Sequence, residues 1–200
     1  MKILLLANGE SVKFNFAEFD KIICVDGGLN NIPNGLVPNA IIGDFDSVDR
    51  EKLEFYKNKT EIVFKNNQDE SDLKFALRYC LSLKPKEIVI SNAISGDRCD
   101  HSLCNILLLE EIPENISAKI ITRTQEILLI HKRYDVVKKE LKTISLIPLT
   151  NCKFVKTDGL KWNIDNDLSY GFIDGISNIV NSKFATISIQ SGTLLCIIER

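Results

Sequence analysis

Short apolar runs alternate with amphipathic stretches over the first half of the chain. Apolar residues at helical spacing predict helices over 48–57, 73–81 and 103–110. The apolar runs themselves are nearly continuous, which is typical of parallel strands covered on both faces. Strands and helices in alternation predict an α/β domain with a mostly parallel sheet. The predicted strands are Lys2–Ala7, Lys21–Asp26, Ala40–Gly43, Glu61–Lys65 and Glu87–Ser91.

The pattern changes after about Pro113. Apolar runs follow one another at short intervals, with turn residues such as Asp158-Gly159 and Ser191-Gly192 between them. This pattern predicts an all-β domain, either a β-sandwich or a small barrel. We therefore place the boundary within 112–118 and expect an α/β domain over 1–115 and a β-sandwich domain over 116–200. The predicted strands of the second domain are Ala118–Thr124, Glu126–His131, Thr143–Leu149, Lys153–Thr157, Phe184–Gln190 and Thr193–Ile198.

Composition and charge narrow the class of protein. A net charge of −2 gives no sign of a nucleic-acid partner, which usually requires a basic surface. No stretch approaches the ~20 apolar residues that span a bilayer, and the run at Met1–Ala7 is too short for a signal peptide. The six cysteines include no C-x-x-C pair, so a zinc ribbon is not expected. Free cysteines suit a reducing compartment, and we expect a cytoplasmic protein.

Four acidic clusters fall where the strands of the α/β half should end. They are Asp26-Gly27-Gly28, the GDFDS run at 43–47, the QDESD run at 68–72 and the GDRCDH run at 96–101. Because ligands bind at the carboxyl ends of strands in open α/β sheets, these loops are expected to converge on one site. Carboxylates alone favour a hard cation such as Mg²⁺, which shares its coordination with substrate phosphates. The glycines, Gly27 among them, would let backbone N–H groups approach phosphate closely, and Arg98 would offer a fork for it.

This pattern indicates metal-assisted phosphoryl or nucleotidyl transfer, and each cluster also has a simpler interpretation. Asp46 or Ser47 could cap a helix beginning at Val48, and Ser71 or Asp100 could cap the helices that follow. Taken alone, each of these residues is more simply explained as a helix cap. The repetition of acidic clusters at successive strand ends favours a ligand-binding site instead. His101 could act in proton transfer or only in positioning, and Trp162 could be a core residue or a cation–π surface.

The motifs DGG at 26–28, GDFDS at 43–47, DESD at 69–72 and GDRCDH at 96–101 resemble, in this order, those of thiamin pyrophosphokinases. The resemblance continues through Gly159-Leu160-Lys161-Trp162 and Gly175-Ile176-Ser177-Asn178, so it spans nearly the whole chain. It implies a homodimer of subunits with an α/β and a β-sandwich domain, with sites between subunits. It also implies that ATP with Mg²⁺ donates pyrophosphate to thiamine, which gives AMP and thiamine diphosphate.

The resemblance also implies roles for individual residues. Asp44, Asp46 and Asp72 are expected to be catalytic and metal-binding carboxylates, and Asp100 a further catalytic one. Trp162 is expected to cover the thiamine ring. The residues expected to bind the substrates are Asp26, Gly27, Gln68, Arg98, His101, Trp162, Ser177 and Asn178. Two alternative functions stay open at this point: a pyrophosphokinase acting on another alcohol, such as a hydroxymethyl pterin, and a nucleotide-binding module without catalysis.

Overall fold

The structure, a computed structural model, describes residues 1–66, 69–94 and 98–200 and divides into two compact units, Met1–Arg123 and Thr124–Arg200. The first unit contains a six-stranded, all-parallel sheet in the order β4-β3-β2-β1-β5-β6. The α/β architecture predicted for this half is confirmed. Its strands are β1 (Lys2–Leu6), β2 (Lys21–Val25), β3 (Ala40–Gly43), β4 (Glu61–Phe64), β5 (Glu87–Ser91) and β6 (Ser117–Ile121).

Helices connect these strands and cover the sheet. Helix α2 buries Leu73, Ala76, Leu77 and Cys80, which recur at helical spacing along its sequence, and it packs against β2 and β3. The α-helices are α1 (Arg50–Tyr56), α2 (Asp72–Ser82) and α3 (Cys99–Leu107), and 3₁₀ helices cover Phe16–Glu18, Asp26–Asn31 and Leu108–Glu111. No helix among the described residues is long and apolar enough to cross a membrane.

Strand β4 differs from the expectation that every strand of this sheet is covered on both faces. It pairs only with β3, so it forms the edge of the sheet, and Ile62 and Phe64 are exposed. The other early strands are buried over nearly their whole length. An apolar run of four residues looks the same in the sequence whether its strand lies at the edge or at the centre of the sheet. The local pattern contains no information about the order of strands in a sheet.

The division between units lies after Arg123, whereas the sequence prediction ended the first domain at residue 115. The reason is β6, which was predicted to begin the β domain. This strand pairs in parallel with β5 over Ser117–Ile121 and so belongs to the first sheet. Its sequence alone does not reveal which sheet it joins.

The second unit is built from two antiparallel sheets, in the orders β12-β9-β14-β7 and β11-β10-β13-β8. Side chains from both sheets form one core, which includes Leu146 and Cys196 from the first sheet and Val155 and Ile187 from the second. The predicted β-sandwich is confirmed. Its strands are β7 (Gln125–Ile130), β8 (Arg133–Val137), β9 (Thr143–Pro148), β10 (Cys152–Asp158), β11 (Asp165–Leu168), β12 (Asn178–Ile179), β13 (Phe184–Ser188) and β14 (Leu194–Glu199).

Three strands of this unit have no counterpart in the sequence prediction. Strand β8 carries one buried residue, Val136, β11 carries only Leu168, and β12 is two residues long. Hydrophobic periodicity is the signal that reveals a strand. In β8 and β11 most side chains are exposed or half-buried, and β12 is too short to show a period. Hydrogen bonds to neighbouring strands fix all three instead.

Candidate active site

A cavity of about 500 Å³ opens at the carboxyl edge of the parallel sheet. Its walls include Asn8 after β1 and Asn92 after β5. These two strands are neighbours, and the chain leaves them towards opposite ends of the sheet, so the cavity lies at the topological switch point. This is where open α/β sheets bind their ligands, and the volume is within the range of small-molecule sites.

Three carboxylates form a cluster at this edge. Asp26 follows β2, and Asp44 and Asp46 follow β3, which pairs with β2. Each offers one oxygen, and these oxygens all lie within 4.8 Å of one another. Asp26 Oδ1 is buried and has no hydrogen-bond partner within the described ranges 1–66, 69–94 and 98–200. A buried anionic oxygen that faces two other carboxylates is costly unless a cation joins it. The donor set is therefore suited to a hard divalent ion.

The backbone at Asp26, which places its carboxylate in this cluster, adopts a strained conformation. Asp26 has a φ of +45°, a left-handed conformation that a non-glycine residue seldom adopts, and it is only 8% exposed. Both glycines after it lie in close contacts, and at Gly28 the contact is with backbone, so glycine is required there. A Cβ at Gly27 would lie 2.2 Å from the Asn8 side chain, and one at Gly28 would lie 2.0 Å from the carbonyl oxygen of Leu6. Strain of this kind accumulates at functional sites.

The helix-cap interpretation of Asp46 and Ser47 is wrong. The N-cap of α1 is Asp49, whose carboxylate accepts hydrogen bonds from the N–H groups of Glu51 (2.9 Å) and Lys52 (3.2 Å). Asp46 is free to face the cavity. Asn30 holds the loop in place, since its Nδ2 donates to the carbonyl of Ser47 (3.0 Å) and its Oδ1 accepts from the N–H of Asp49 (3.0 Å).

The cap interpretation does hold for Ser71, which caps α2 by accepting a hydrogen bond from the N–H of Lys74 (3.2 Å). Asp72 is the first residue of α2 and lines the cavity, but it stands outside the three-carboxylate cluster. Its Oδ1 lies 3.1 Å from the Nζ of Lys65. The predicted metal role of Asp72 stays a prediction. Gln68 lies outside the described residues.

Arg98 and Asp100 form a bidentate pair at the start of α3. The guanidinium donates from Nε (2.9 Å) and Nη2 (2.7 Å) to the carboxylate, and both side chains are exposed. The bonds from Arg98, together with the N–H of His101, hold the pKa of Asp100 well below its usual range. Both carboxylate oxygens of Asp100 are engaged by Arg98, and its predicted catalytic role stays a prediction. Asp100 does not cap α3 by the usual N-cap geometry, because Arg98 occupies that position. Arg98 and His101 line the cavity.

The sequence analysis did not identify Asn92, Asn105 or Lys65 as residues of the site, although the two asparagines line the cavity and Lys65 pairs with Asp72. Asn92 has a φ of +57°, and its Oδ1 accepts a hydrogen bond from the N–H of Val12 (3.2 Å), while its carbonyl accepts from the N–H of Gly9 (2.6 Å). It thus fixes the loop after β1. Asn105 of α3 donates to the carbonyl of Ala93 (2.7 Å). The only local signal was the tolerance of asparagine for left-handed backbone.

In the second unit, Trp162 is 56% exposed, so the interpretation of a core tryptophan is wrong. The buried Asn178 holds its backbone, accepting from the N–H of Trp162 (3.2 Å) and donating to its carbonyl (2.7 Å). Lys161 Nζ lies 4.4 Å from the centre of the indole ring. The ring therefore presents a surface that accepts a cation. Ser177 is exposed with a φ of +57°, and its N–H donates to Ser145 Oγ (3.1 Å).

Comparison with known proteins covers both units. The family model described as the catalytic domain of thiamin pyrophosphokinase matches residues 15–122. The one described as the vitamin B1 binding domain of thiamin pyrophosphokinase matches residues 129–194. The two matches lie on either side of the division between the units of the structure.

Individual relatives agree with these matches. The chain is 30% identical over 178 residues to the thiamine pyrophosphokinase of Bacillus subtilis, which covers 86% of this chain and 83% of that protein. It is 28% identical over 201 residues to thiamine pyrophosphokinase 3 of Oryza sativa subsp. japonica, covering 84% and 74%. The crystal structure of the Bacillus subtilis thiamine pyrophosphokinase superposes with a TM-score of 0.89 at 26% identity, over 100% of this chain and 99% of that one.

Proposed function

The chain belongs to the thiamin pyrophosphokinase family, and from this premise we propose that the cavity at the sheet edge is where it transfers pyrophosphate to thiamine. The chain is an ATP-dependent pyrophosphotransferase, a thiamine diphosphokinase. The oxygen of the thiamine hydroxyethyl group attacks the β-phosphorus of ATP, and the bond from that phosphorus to the oxygen of the α-phosphate breaks. The products are thiamine diphosphate, AMP and the hydroxyl proton.

One observation carries the assignment of the site: three carboxylate oxygens within 4.8 Å of one another beside a cavity of about 500 Å³. We propose Mg²⁺ as the ion and Asp26, Asp44 and Asp46 as the residues that would hold it, because an all-oxygen anionic set suits that ion and phosphates complete its coordination. When bound, Mg²⁺ offsets the negative charge that phosphoryl transfer spreads over the phosphate oxygens.

The remaining cavity residues have chemistry suited to the two substrates. Arg98 offers a planar fork of donors for a phosphate group. A loose transition state needs little help from a strong base, so a weakly basic carboxylate is sufficient near the hydroxyl. Asp72 lines the cavity and is better placed for that task than Asp100, which Arg98 holds. Binding, orientation and charge compensation then supply most of the catalysis.

The products test the proposed reaction directly. Purified protein with Mg²⁺, ATP and thiamine should release AMP and thiamine diphosphate in equal amounts, measured by chromatography of the nucleotides and of the thiamine esters. Omission of thiamine should abolish AMP release. Formation of ADP, or AMP release that does not depend on thiamine, would contradict the assignment.

We propose that Trp162 covers the thiazolium ring of thiamine. The indole is exposed and already faces the Lys161 ammonium, so a ligand cation can take up a similar interaction. Asn178 supports it by fixing its backbone through two hydrogen bonds. Cation–π contacts contribute about 2 kcal/mol when they are shielded from water.

The substitution Trp162→Ala should therefore raise the KM for thiamine about 10- to 30-fold, since ~1.4 kcal/mol corresponds to a factor of ten. The KM for ATP should stay unchanged, because the proposed role of the indole is towards the thiazolium ring and not towards the phosphates of ATP. Steady-state kinetics with each substrate varied in turn measures both. Phe184→Ala, which removes another exposed aromatic ring of the same unit, is the matched control. An unchanged KM for thiamine in Trp162→Ala would refute this role.

We further propose that the protein is a homodimer. Three large apolar side chains, Tyr170, Ile173 and Ile176, are exposed in the segment between β11 and β12. Apolar side chains concentrated in one exposed segment are typical of an association surface. Sedimentation equilibrium should give twice the chain mass, and a single-chain mass at micromolar concentration would contradict the proposal.

A further inference from the structure

Lys65 is an almost completely buried lysine at the edge of the candidate active site. It follows β4, and its side chain is 3% exposed. The ammonium donates a hydrogen bond to the carbonyl of Glu70 (2.7 Å) and lies 3.1 Å from Asp72 Oδ1. An ammonium group removed from water is costly unless it is paired and hydrogen-bonded. The position of Lys65 therefore depends on these two partners.

The backbone of Lys65 is anchored to the loop that carries the carboxylate cluster. Its N–H donates to the carbonyl of Gly43 (2.9 Å), the residue immediately before Asp44. The side chain reaches from this point to the first residue of α2. Lys65 thus connects the strand end beside the cluster with Asp72, which stands outside the cluster.

The carboxylate of Asp72 has few other constraints. Ser71 fixes the backbone at the start of α2, because its hydroxyl accepts the hydrogen bond from the N–H of Lys74. Asp72 Oδ1 is buried, and among the residues that the structure describes it has no hydrogen-bond partner apart from its ion pair with Lys65. The side chain as a whole is 30% exposed and lines the cavity. Its exposed surface therefore lies away from Oδ1, on the part that faces the cavity.

We propose that Lys65 is a positioning residue, which holds Asp72 by one oxygen so that the rest of its carboxylate faces the substrate. This inference rests on the proposed function of the cavity. The ammonium also offsets one of the negative charges gathered at this edge.

The substitution Lys65→Met keeps an unbranched side chain that is one atom shorter, and it removes the charge and the donors. We expect kcat to fall by about 100-fold, the order of loss when a reacting group is displaced by about 1 Å. The KM for ATP should change less than threefold, because the cluster is intact. In protein that already carries Asp72→Asn, the same Lys65→Met change should alter kcat by less than threefold, because the partner is already disabled.

Lys74→Met is the matched control. Lys74 lies in α2, the helix that begins with Asp72, but it pairs with Glu111 outside the cavity. The loss of its charge should therefore leave kcat unchanged. Lys65→Gln, which retains a donor for the Glu70 carbonyl, provides a second variant if Lys65→Met does not fold, and it should show the same split between kcat and KM. Thermal melts of each variant establish that folded protein is compared.

Two results would overturn the inference. One is a folded Lys65→Met or Lys65→Gln protein with wild-type kcat. The other is an equal loss of kcat with and without Asp72→Asn, which would mean that Lys65 does not act through Asp72. The wild-type protein in the same assay separates this outcome from failure of the proposed function. Without thiamine-dependent AMP release by the wild type, the function itself is contradicted, whereas normal wild-type turnover confines the failure to Lys65.

Discussion

Replacement of Asp44 by Asn should lower kcat/KM for thiamine diphosphate formation by about 10³-fold, the scale observed when one preorganised electrostatic contact is removed from a catalytic site. Asp44, Asp26 and Asp46 bring their oxygens within 4.8 Å of one another. The substitution keeps the shape of the side chain and removes one of three anionic ligands. AMP release measured over a range of Mg²⁺ concentrations should show that a higher concentration is needed for half-maximal rate.

The same substitution should act in the opposite direction on stability. Without a cation the three carboxylates repel one another, so Asp44→Asn should raise the melting temperature of the metal-free protein by about 2–4 °C, which corresponds to ~1 kcal/mol for a chain of this size. Addition of Mg²⁺ should stabilise the wild type and should stabilise the variant less. A loss of activity accompanied by a lower melting temperature would indicate damage to the fold instead of loss of a ligand.

Asp49→Asn is the matched control for Asp44→Asn. It removes the same charge from the same loop, but Asp49 caps α1 through the N–H groups of Glu51 and Lys52. Asparagine is as good an N-cap as aspartate, so stability should change by less than ~0.5 kcal/mol. Activity should stay within twofold of the wild type. A loss comparable to that of Asp44→Asn would mean that the whole loop, and not the cluster, responds to charge.

The substitution Gly28→Ala should destabilise the protein by at least about 3 kcal/mol, the upper part of the range for overpacking. The added Cβ would lie 2.0 Å from the carbonyl oxygen and 2.9 Å from the carbonyl carbon of Leu6. Leu6 ends β1, which pairs with strands on both sides, so its backbone cannot move aside. Urea unfolding followed by circular dichroism gives the free energy of unfolding.

Gly35→Ala tests whether this effect comes from the close approach. Gly35 belongs to the same unit, and a Cβ added there would meet no described atom within 4 Å. Its φ of +86° still makes alanine strained at this position. Alanine there should cost about 1–2 kcal/mol, the ordinary cost of left-handed backbone. If Gly28→Ala is no worse than Gly35→Ala, then the contact with Leu6 does not decide the need for glycine.

The sequence located most of the strands and all three α-helices to within a few residues. Most of those elements bury apolar side chains at a regular spacing, as α2 does with Leu73, Ala76, Leu77 and Cys80, and α3 has the helical spacing although none of its residues is buried. The missed strands lack such a period, and β11 with its run Asp165–Leu168 buries only Leu168. Local pattern reveals an element only where apolar residues recur at a regular spacing along the chain.

The sequence by itself determined that acidic loops follow the strands of a parallel sheet and therefore meet at one edge. It also determined the order of motifs by which the chain resembles its family. These features are local: a strand end, a glycine after it and a carboxylate beside it are all read from a few neighbouring residues.

Only the tertiary structure decided which of those carboxylates act together. Because β2 lies beside β3, Asp26 joins Asp44 and Asp46, whereas Asp72 stands apart with Lys65. Strand order also brings Asn92 to the loop after β1, which is 80 residues earlier in the chain. A carboxylate selects its partners by distance in space, and that distance follows from the order of strands in the sheet and not from the spacing of residues along the chain.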